Sequence, residues 1–113
     1  MKRLLTIFCL LFALTASAKS QPDWLKNAVI YHIYPSTYMD SDGNGIGDLK
    51  GITSRLDYIR SCGFNCIWMS PCFASAWEDG GYDIIDYYKV DPRFGTNDDL
   101  KASPSSRFMP IKV

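Results

Sequence analysis

Two apolar runs without alternation, separated by one stretch of helical periodicity, organise this chain. The first run is Ala28-Val29-Ile30-Tyr31-His32-Ile33-Tyr34, closed by Pro35. A β-favouring run of this length that does not alternate suits a strand, 28–34, buried on both faces of a parallel sheet. Leu49, Ile52, Leu56 and Ile59 then recur at steps of three and four, which puts them on one face of a helix, with Arg55, Asp57 and Arg60 on other faces. Gly63 follows as a helix stop. The second run is Cys66-Ile67-Trp68-Met69, ended by Ser70-Pro71. Strand, loop, helix, short turn and strand make a βαβ unit with parallel strands, so the fold class is α/β.

The pattern is less regular beyond the second strand. A long loop is expected from Cys72 to about Pro92, rich in aromatic and acidic residues. Loops of this length are usually functional or disordered, and the aromatic content argues against disorder. Ligands in parallel α/β folds bind at the C-terminal ends of strands, where this loop begins. Its aromatic faces and carboxylates suit a carbohydrate; the same residues would also serve simply to cover a core. Thr96-Asn97-Asp98-Asp99 reads as a helix start, with Thr96 as N-cap and an acid three residues on. From 101 the pattern breaks. Pro104 and three serines follow, and no apolar period returns before Val113.

The amino terminus reads as a targeting segment rather than fold. Lys2 and Arg3 precede an apolar stretch, Leu4 to Leu14, and the small-residue site Ala16-Ser17-Ala18. This is the plan of a secretory signal peptide cleaved after Ala18, and it predicts a secreted or periplasmic product. The apolar stretch is short of the ~20 residues a spanning helix needs, so no membrane span is expected after cleavage. The expected organisation is a signal peptide at 1–18, a polar lead-in at 19–23, a catalytic-type segment at 24–100, and a divergent tail at 101–113 that points to a frameshift or an error in the gene model.

The chain has 113 residues and a formal net charge of zero at pH 7. Nothing in that balance points to nucleic acid. Of the four cysteines, Cys9 leaves with the signal, and Cys62, Cys66 and Cys72 are an odd count that no single-chain pairing can satisfy. No histidine lies near them to complete a zinc site. Cys66 reads as a small buried hydrophobe, and the only histidine, His32, as a structural mid-strand residue.

The sharpest chemical signal is Asp40-Ser41-Asp42-Gly43-Asn44-Gly45-Ile46-Gly47-Asp48. Oxygen-bearing side chains alternate at 40, 42 and 44, and a further carboxylate follows at 48. A hard cation such as Ca²⁺ takes six to eight oxygens in a flexible cage. Asp40, Asp42, Asn44, the Ile46 carbonyl and Asp48 are the candidate ligands of a structural Ca²⁺. A solvated turn of ordinary turn formers is the plainer alternative. An EF-hand does not fit, because its twelfth position, a bidentate Glu, falls on Gly51 here, and no helix precedes the loop.

Trp24 to Leu100 resembles the start of the catalytic domain of the α-amylase family of glycoside hydrolases (glycoside hydrolase family 13), in its α-glucosidase, oligo-1,6-glucosidase and trehalose-synthase-like branch. The matching blocks are 28–35, 40–51, 56–59, 67–71, Gly81-Tyr82-Asp83-Ile84 and Phe94-Gly95-Thr96. The sequence departs at His32, where many members have Gln, and at Ser36-Thr37, where an Arg-Ser pair is usual. The resemblance implies a (β/α)₈ TIM barrel, of which this chain would hold the first two βα units and remain incomplete. It implies the first strand at 28–34, the first helix at roughly 52–62 and the second strand at 65–69. It also implies a structural Ca²⁺ at 40–48. In Asp79-Gly80-Gly81-Tyr82, Asp79 would hydrogen-bond a non-reducing-end glucose and Tyr82 would stack on its ring. Asp83 and Asp86 would hold the loop.

The family takes its nucleophile, acid/base and third acidic residue from strands four, five and seven, so no catalytic residue is expected in this chain. Retention requires two carboxyls about 5–5.5 Å apart. The expected function is that of an N-terminal fragment, inactive by itself, of an exported retaining enzyme acting on α-linked glucose oligosaccharides or starch. The alternatives are a secreted non-enzymatic calcium- or sugar-binding module and a non-functional truncated remnant.

Overall fold

The computed structural model describes residues 20–102. The signal peptide expected at 1–18 and the part of the divergent tail from 103 onward lie outside the described residues. The elements are α1 (Asp23–Lys26), β1 (Ile30–Ile33), α2 (Pro35–Tyr38), α3 (Leu49–Ser54), α4 (Leu56–Ser61), β2 (Cys66–Met69), β3 (Phe73–Ser75), β4 (Ile84–Val90) and α5 (Asn97–Ala102).

β1 and β2 pair in parallel, with Ile30 opposite Cys66 and Ile33 opposite Met69. The strands carry the residues expected of them and are shorter by a residue or two at their ends. The helix between them comes in two pieces. Asp48 caps α3 by accepting the Gly51 N–H at 2.7 Å. Arg55, at φ −104° and ψ 5°, breaks the path before α4. The apolar stripe survives the break, and Leu49, Ile52, Leu56 and Ile59 are all buried. They form the core with Ile33, Ile67, Met69, Cys72, Val90 and Phe94. Gly63 ends α4 at φ +91°, and its N–H reaches the Arg60 carbonyl at 2.9 Å.

The two strands differ from the expected burial on both faces. Ile33, Ile67 and Met69 are buried against the helices, while Ile30 and Trp68 on the other face are 46% and 55% exposed. His32 lies on that open face, 4.9 Å from the Trp68 ring and 2.9 Å from Ser70 Oγ. The apolar run encodes two buried faces, but among the described residues helices cover only one of them. Further strands of a closed barrel would cover the second.

The segment read as a long loop also differs. β3 and β4 form an antiparallel hairpin inside it, with Phe73 opposite Val90, Ser75 opposite Ile84, and register shifts between. β4 is exposed along nearly all its length, so it carries no inward-facing alternation that would announce a strand. Its continuation is tied to the core side. Asp91 N–H donates to the Cys72 carbonyl at 2.9 Å, and Leu49 N–H to the Phe94 carbonyl at 3.0 Å. The expected cap of α5 is present as a reciprocal pair. Thr96 N–H donates to Asp99 Oδ2 at 2.9 Å, and Asp99 N–H donates to Thr96 Oγ1 at 3.1 Å.

Candidate metal loop and sugar-binding rim

The 40–48 loop follows β1 through α2 and is drawn against it by two glycines. A Cβ on Gly47 would stand 2.2 Å from the Pro35 carbonyl oxygen, and one on Gly51 would stand 2.0 Å from that of Met39. No side chain fits at either contact. Within the loop the acids fold the backbone around themselves. Asp40 accepts the N–H groups of Gly45 and Gly43, each at 2.7 Å, and of Asp42 at 3.1 Å. The Gly45 bond, helped by the other amides, outweighs burial and holds the Asp40 carboxyl below the usual range. Asp42 Oδ1 accepts Asn44 N–H, and Asn44 Oδ1 accepts Ile46 N–H. The Ile46 side chain packs on the core.

Asp48 does two jobs. One oxygen caps α3; the other accepts Ser41 N–H at 2.8 Å and Ser41 Oγ–H at 2.9 Å. Burial pushes its carboxyl up, but the Gly51 and Ser41 hydrogen bonds prevail and the net direction is down. Asp40, Asp42 and Asp48 each bring a carboxylate oxygen within 4.8 Å of the others. Among the described residues, none of the three has a cationic partner. Three ionised carboxylates this close repel one another, and their oxygens suit a hard divalent cation. The donor set therefore fits Ca²⁺.

Asp79 and Tyr82 come together in one tight turn. Gly80 and Gly81 occupy φ +58° and +96°, and Tyr82 N–H closes the turn on the Asp79 carbonyl at 2.9 Å. Both side chains are exposed. The Tyr34 hydroxyl, from the C-terminal end of β1, donates to the Gly80 carbonyl at 3.2 Å. The turn therefore stands at the strand end where α/β folds bind ligands. Asp83 serves as the expected brace, accepting from Ser75 Oγ and from Glu78 N–H. Among the described residues, Asp86 accepts only Tyr88 N–H, within its own strand.

A second support, which the sequence expectations do not contain, lies behind the turn. Trp77, at φ +63°, donates Nε1–H to the buried Asp91 at 2.8 Å. Arg93 lies 3.8 Å over the Trp77 ring and bonds Asp91 through Nε at 3.0 Å. The Phe94 ring meets Trp77 edge-on at 5.5 Å. The 14-residue gap between Trp77 and Asp91 obeys no helix or strand period, so only a buried-acid argument could have linked them.

A model of the alpha-amylase catalytic domain matches residues 32–106. The oligo-1,6-glucosidase of Heyndrickxia coagulans is 53% identical over 78 residues, covering 69% of this chain and 14% of that protein. Maltase A2 of Drosophila melanogaster is 51% identical over 91 residues, covering 80% and 16%. The chain belongs to the alpha-amylase family. The isomaltulose synthase SmuA from Protaminobacter rubrum superposes with a TM-score of 0.71 at 42% identity, over 76% of this chain and 15% of that one. A MutB mutant crystallised with the substrate sucrose gives a TM-score of 0.70 at 42% identity, over 76% and 16%.

As a member of the alpha-amylase family, the chain carries the opening of a TIM barrel. β1 and β2 are its first strands, and α3 with α4 is the crossover between them. The chain spans only 14% and 16% of the length of the two curated relatives. The family match runs to residue 106, inside the stretch 101–113 that reads as divergent. None of the described helices is long and apolar enough to cross a membrane.

Proposed function

We propose that residues 24–100 supply the first two βα units and part of the glucose-binding rim of an exported, retaining enzyme that hydrolyses or transfers α-linked glucose. Asp79 hydrogen-bonds hydroxyls of the terminal glucose, and Tyr82 covers one face of its ring. Asp40, Asp42, Asn44, the Ile46 carbonyl and Asp48 hold a structural Ca²⁺, whose charge offsets the clustered carboxylates and stiffens the loop after β1. The reactive carboxylates come from later strands, so the 113-residue chain is inactive alone. The leader at 1–18 sends the product out of the cytoplasm, and α-glucans or oligosaccharides are its partners there.

One observation carries the reading. One tight turn carries a carboxylate, Asp79, and an aromatic ring, Tyr82, both exposed, at the C-terminal end of β1. An acid and a ring with no side-chain hydrogen-bond partner among the described residues suit a polyhydroxylated ligand with one apolar face. The relatives' names, oligo-1,6-glucosidase and maltase, support α-glucosides as the ligand class.

The test completes the barrel. Residues 24–100 replace the matching segment of the Heyndrickxia coagulans oligo-1,6-glucosidase, and the chimera is assayed on p-nitrophenyl α-glucoside. The chimera turns over and the 113-residue chain does not. Asp79→Ala in the chimera lowers kcat/KM by about a hundredfold, the worth of one strong charge-assisted hydrogen bond. A loss of less than about threefold, smaller than one such bond is worth, would remove Asp79 from the sugar site.

A further inference from the structure

Asp79 and Tyr82 do not hold themselves in place. Neither side chain has a hydrogen-bond partner among the described residues. Their spacing is set by the backbone between them, and that backbone is two glycines in left-handed conformations, which enter and leave such states readily. Something outside the turn must select one arrangement. Trp77 supports it from one side: a Cβ on Gly81 would meet the Trp77 ring at 3.2 Å. Packing against a ring limits approach but does not fix rotation about the turn. Asp83 braces the turn from within the hairpin through Ser75 and Glu78; the directional hold from outside the hairpin is the Tyr34 hydroxyl on the Gly80 carbonyl, which reaches across 46 residues of sequence from the end of β1. Tyr34 is itself 37% exposed, on the open face of the strand with Ile30 and His32.

We propose that Tyr34 is a positioning residue for glucose recognition. Its hydroxyl fixes the Gly80 peptide, and the peptide fixes the angle at which Asp79 and Tyr82 meet the sugar. The inference rests on the reading of Asp79 and Tyr82 as the glucose rim and adds what sets their geometry. Tyr34 acts through the turn, so its contribution shrinks when Asp79 is no longer there to be aimed, and what remains is the aiming of Tyr82.

The experiment is a double-mutant cycle in the chimera described above. Tyr34→Phe removes one oxygen from a half-exposed ring and keeps its packing. It raises KM for p-nitrophenyl α-glucoside and the inhibition constant of glucose about three- to tenfold, the worth of one net hydrogen bond. The thermal midpoint is unchanged. Amide deuterium exchange at Gly81 and Tyr82, read without substrate, speeds up by a similar factor. In the Asp79→Asn background the Tyr34→Phe penalty on kcat/KM falls well below its value in the parent, leaving only the share that passes through Tyr82. Two results would overturn the proposal: wild-type KM and exchange in Tyr34→Phe, or a full penalty that persists in Asp79→Asn, which would make Tyr34 a direct ligand. If Asp79→Asn and Asp79→Ala both leave kcat/KM untouched, the glucose rim itself fails and the positioning role fails with it. Normal losses at Asp79 with a silent Tyr34→Phe would remove the positioning role alone.

Discussion

Replacing Asp91 with Ala should release the hairpin that carries the Asp79–Tyr82 turn. The Asp91 carboxylate accepts Trp77 Nε1–H at 2.8 Å, Arg93 N–H at 3.1 Å and Arg93 Nε–H at 3.0 Å, and the residue is only 7% exposed. Losing the buried bond to Trp77, which involves a charged acceptor, costs about 1.5–3 kcal/mol. The Arg93 side chain is 39% exposed, so its pairing adds no more than about 1 kcal/mol. The expected total is about 2–4 kcal/mol, and Trp77, a non-glycine residue at φ +63°, loses the partner that holds it there. The assay is urea unfolding of the chimera and its Asp91→Ala form, followed by tryptophan fluorescence. The effect also has a sign with pH. Burial raises the Asp91 carboxyl, but the Trp77 bond and Arg93 lower it further, and it ends below its ordinary 3.8. A carboxyl depressed in the folded state stabilises above its unfolded pKa, and that contribution fades as pH falls through the folded value. The gap between the two proteins should therefore be full at pH 6 and shrink below pH 4. A loss under about 0.5 kcal/mol, less than one ordinary hydrogen bond is worth, or a gap independent of pH, would refute the role given to Asp91.

Three further outcomes follow from the same geometry. Calorimetry on the chimera should show Ca²⁺ binding that Asp42→Ala abolishes, with a lower thermal midpoint in EGTA; an unchanged titration would remove the ion from the 40–48 loop. Cys62 is exposed while Cys66 and Cys72 are buried, and burial pushes the Cys72 thiol up to about 11. Iodoacetamide at pH 8 should therefore modify Cys62 well ahead of Cys66 and Cys72, and rapid alkylation at Cys72 would contradict the packing. The 113-residue chain exposes Ile30 and Trp68 on one sheet face, so it should bind an apolar dye such as ANS more strongly than the chimera does. Equal dye binding would mean that this face is not the one a closed barrel covers.

The elements with a strong period were legible in the sequence. Leu49, Ile52, Leu56 and Ile59 mark a helix face because burial repeats every turn, and all four are in the core. The two apolar runs pair in parallel as their lack of alternation implies. The break at Arg55 left no mark, because the stripe passes through it undisturbed. The β3–β4 hairpin was hidden for the opposite reason. From Ile85 to Lys89 the strand is exposed on both sides, so its ladder is made by backbone groups that every residue has. At the candidate site, local chemistry was readable and long-range support was not. The oxygen spacing at 40, 42 and 48 brings three carboxylates together, and Asp79 and Tyr82 share a turn. Asp48's cap on α3 was masked by its place in the oxygen pattern. Tyr34 on Gly80 and Trp77 on Asp91 join positions 46 and 14 residues apart, distances that only a folded chain closes.

The most direct measurement is a crystal structure of the chimera soaked with glucose. A glucose is expected at the C-terminal end of β1, with an Asp79 carboxylate oxygen within hydrogen-bond reach of a sugar hydroxyl and the Tyr82 ring against the sugar face. Glucose bound elsewhere in the barrel, with Asp79 and Tyr82 still facing solvent, would contradict this placement.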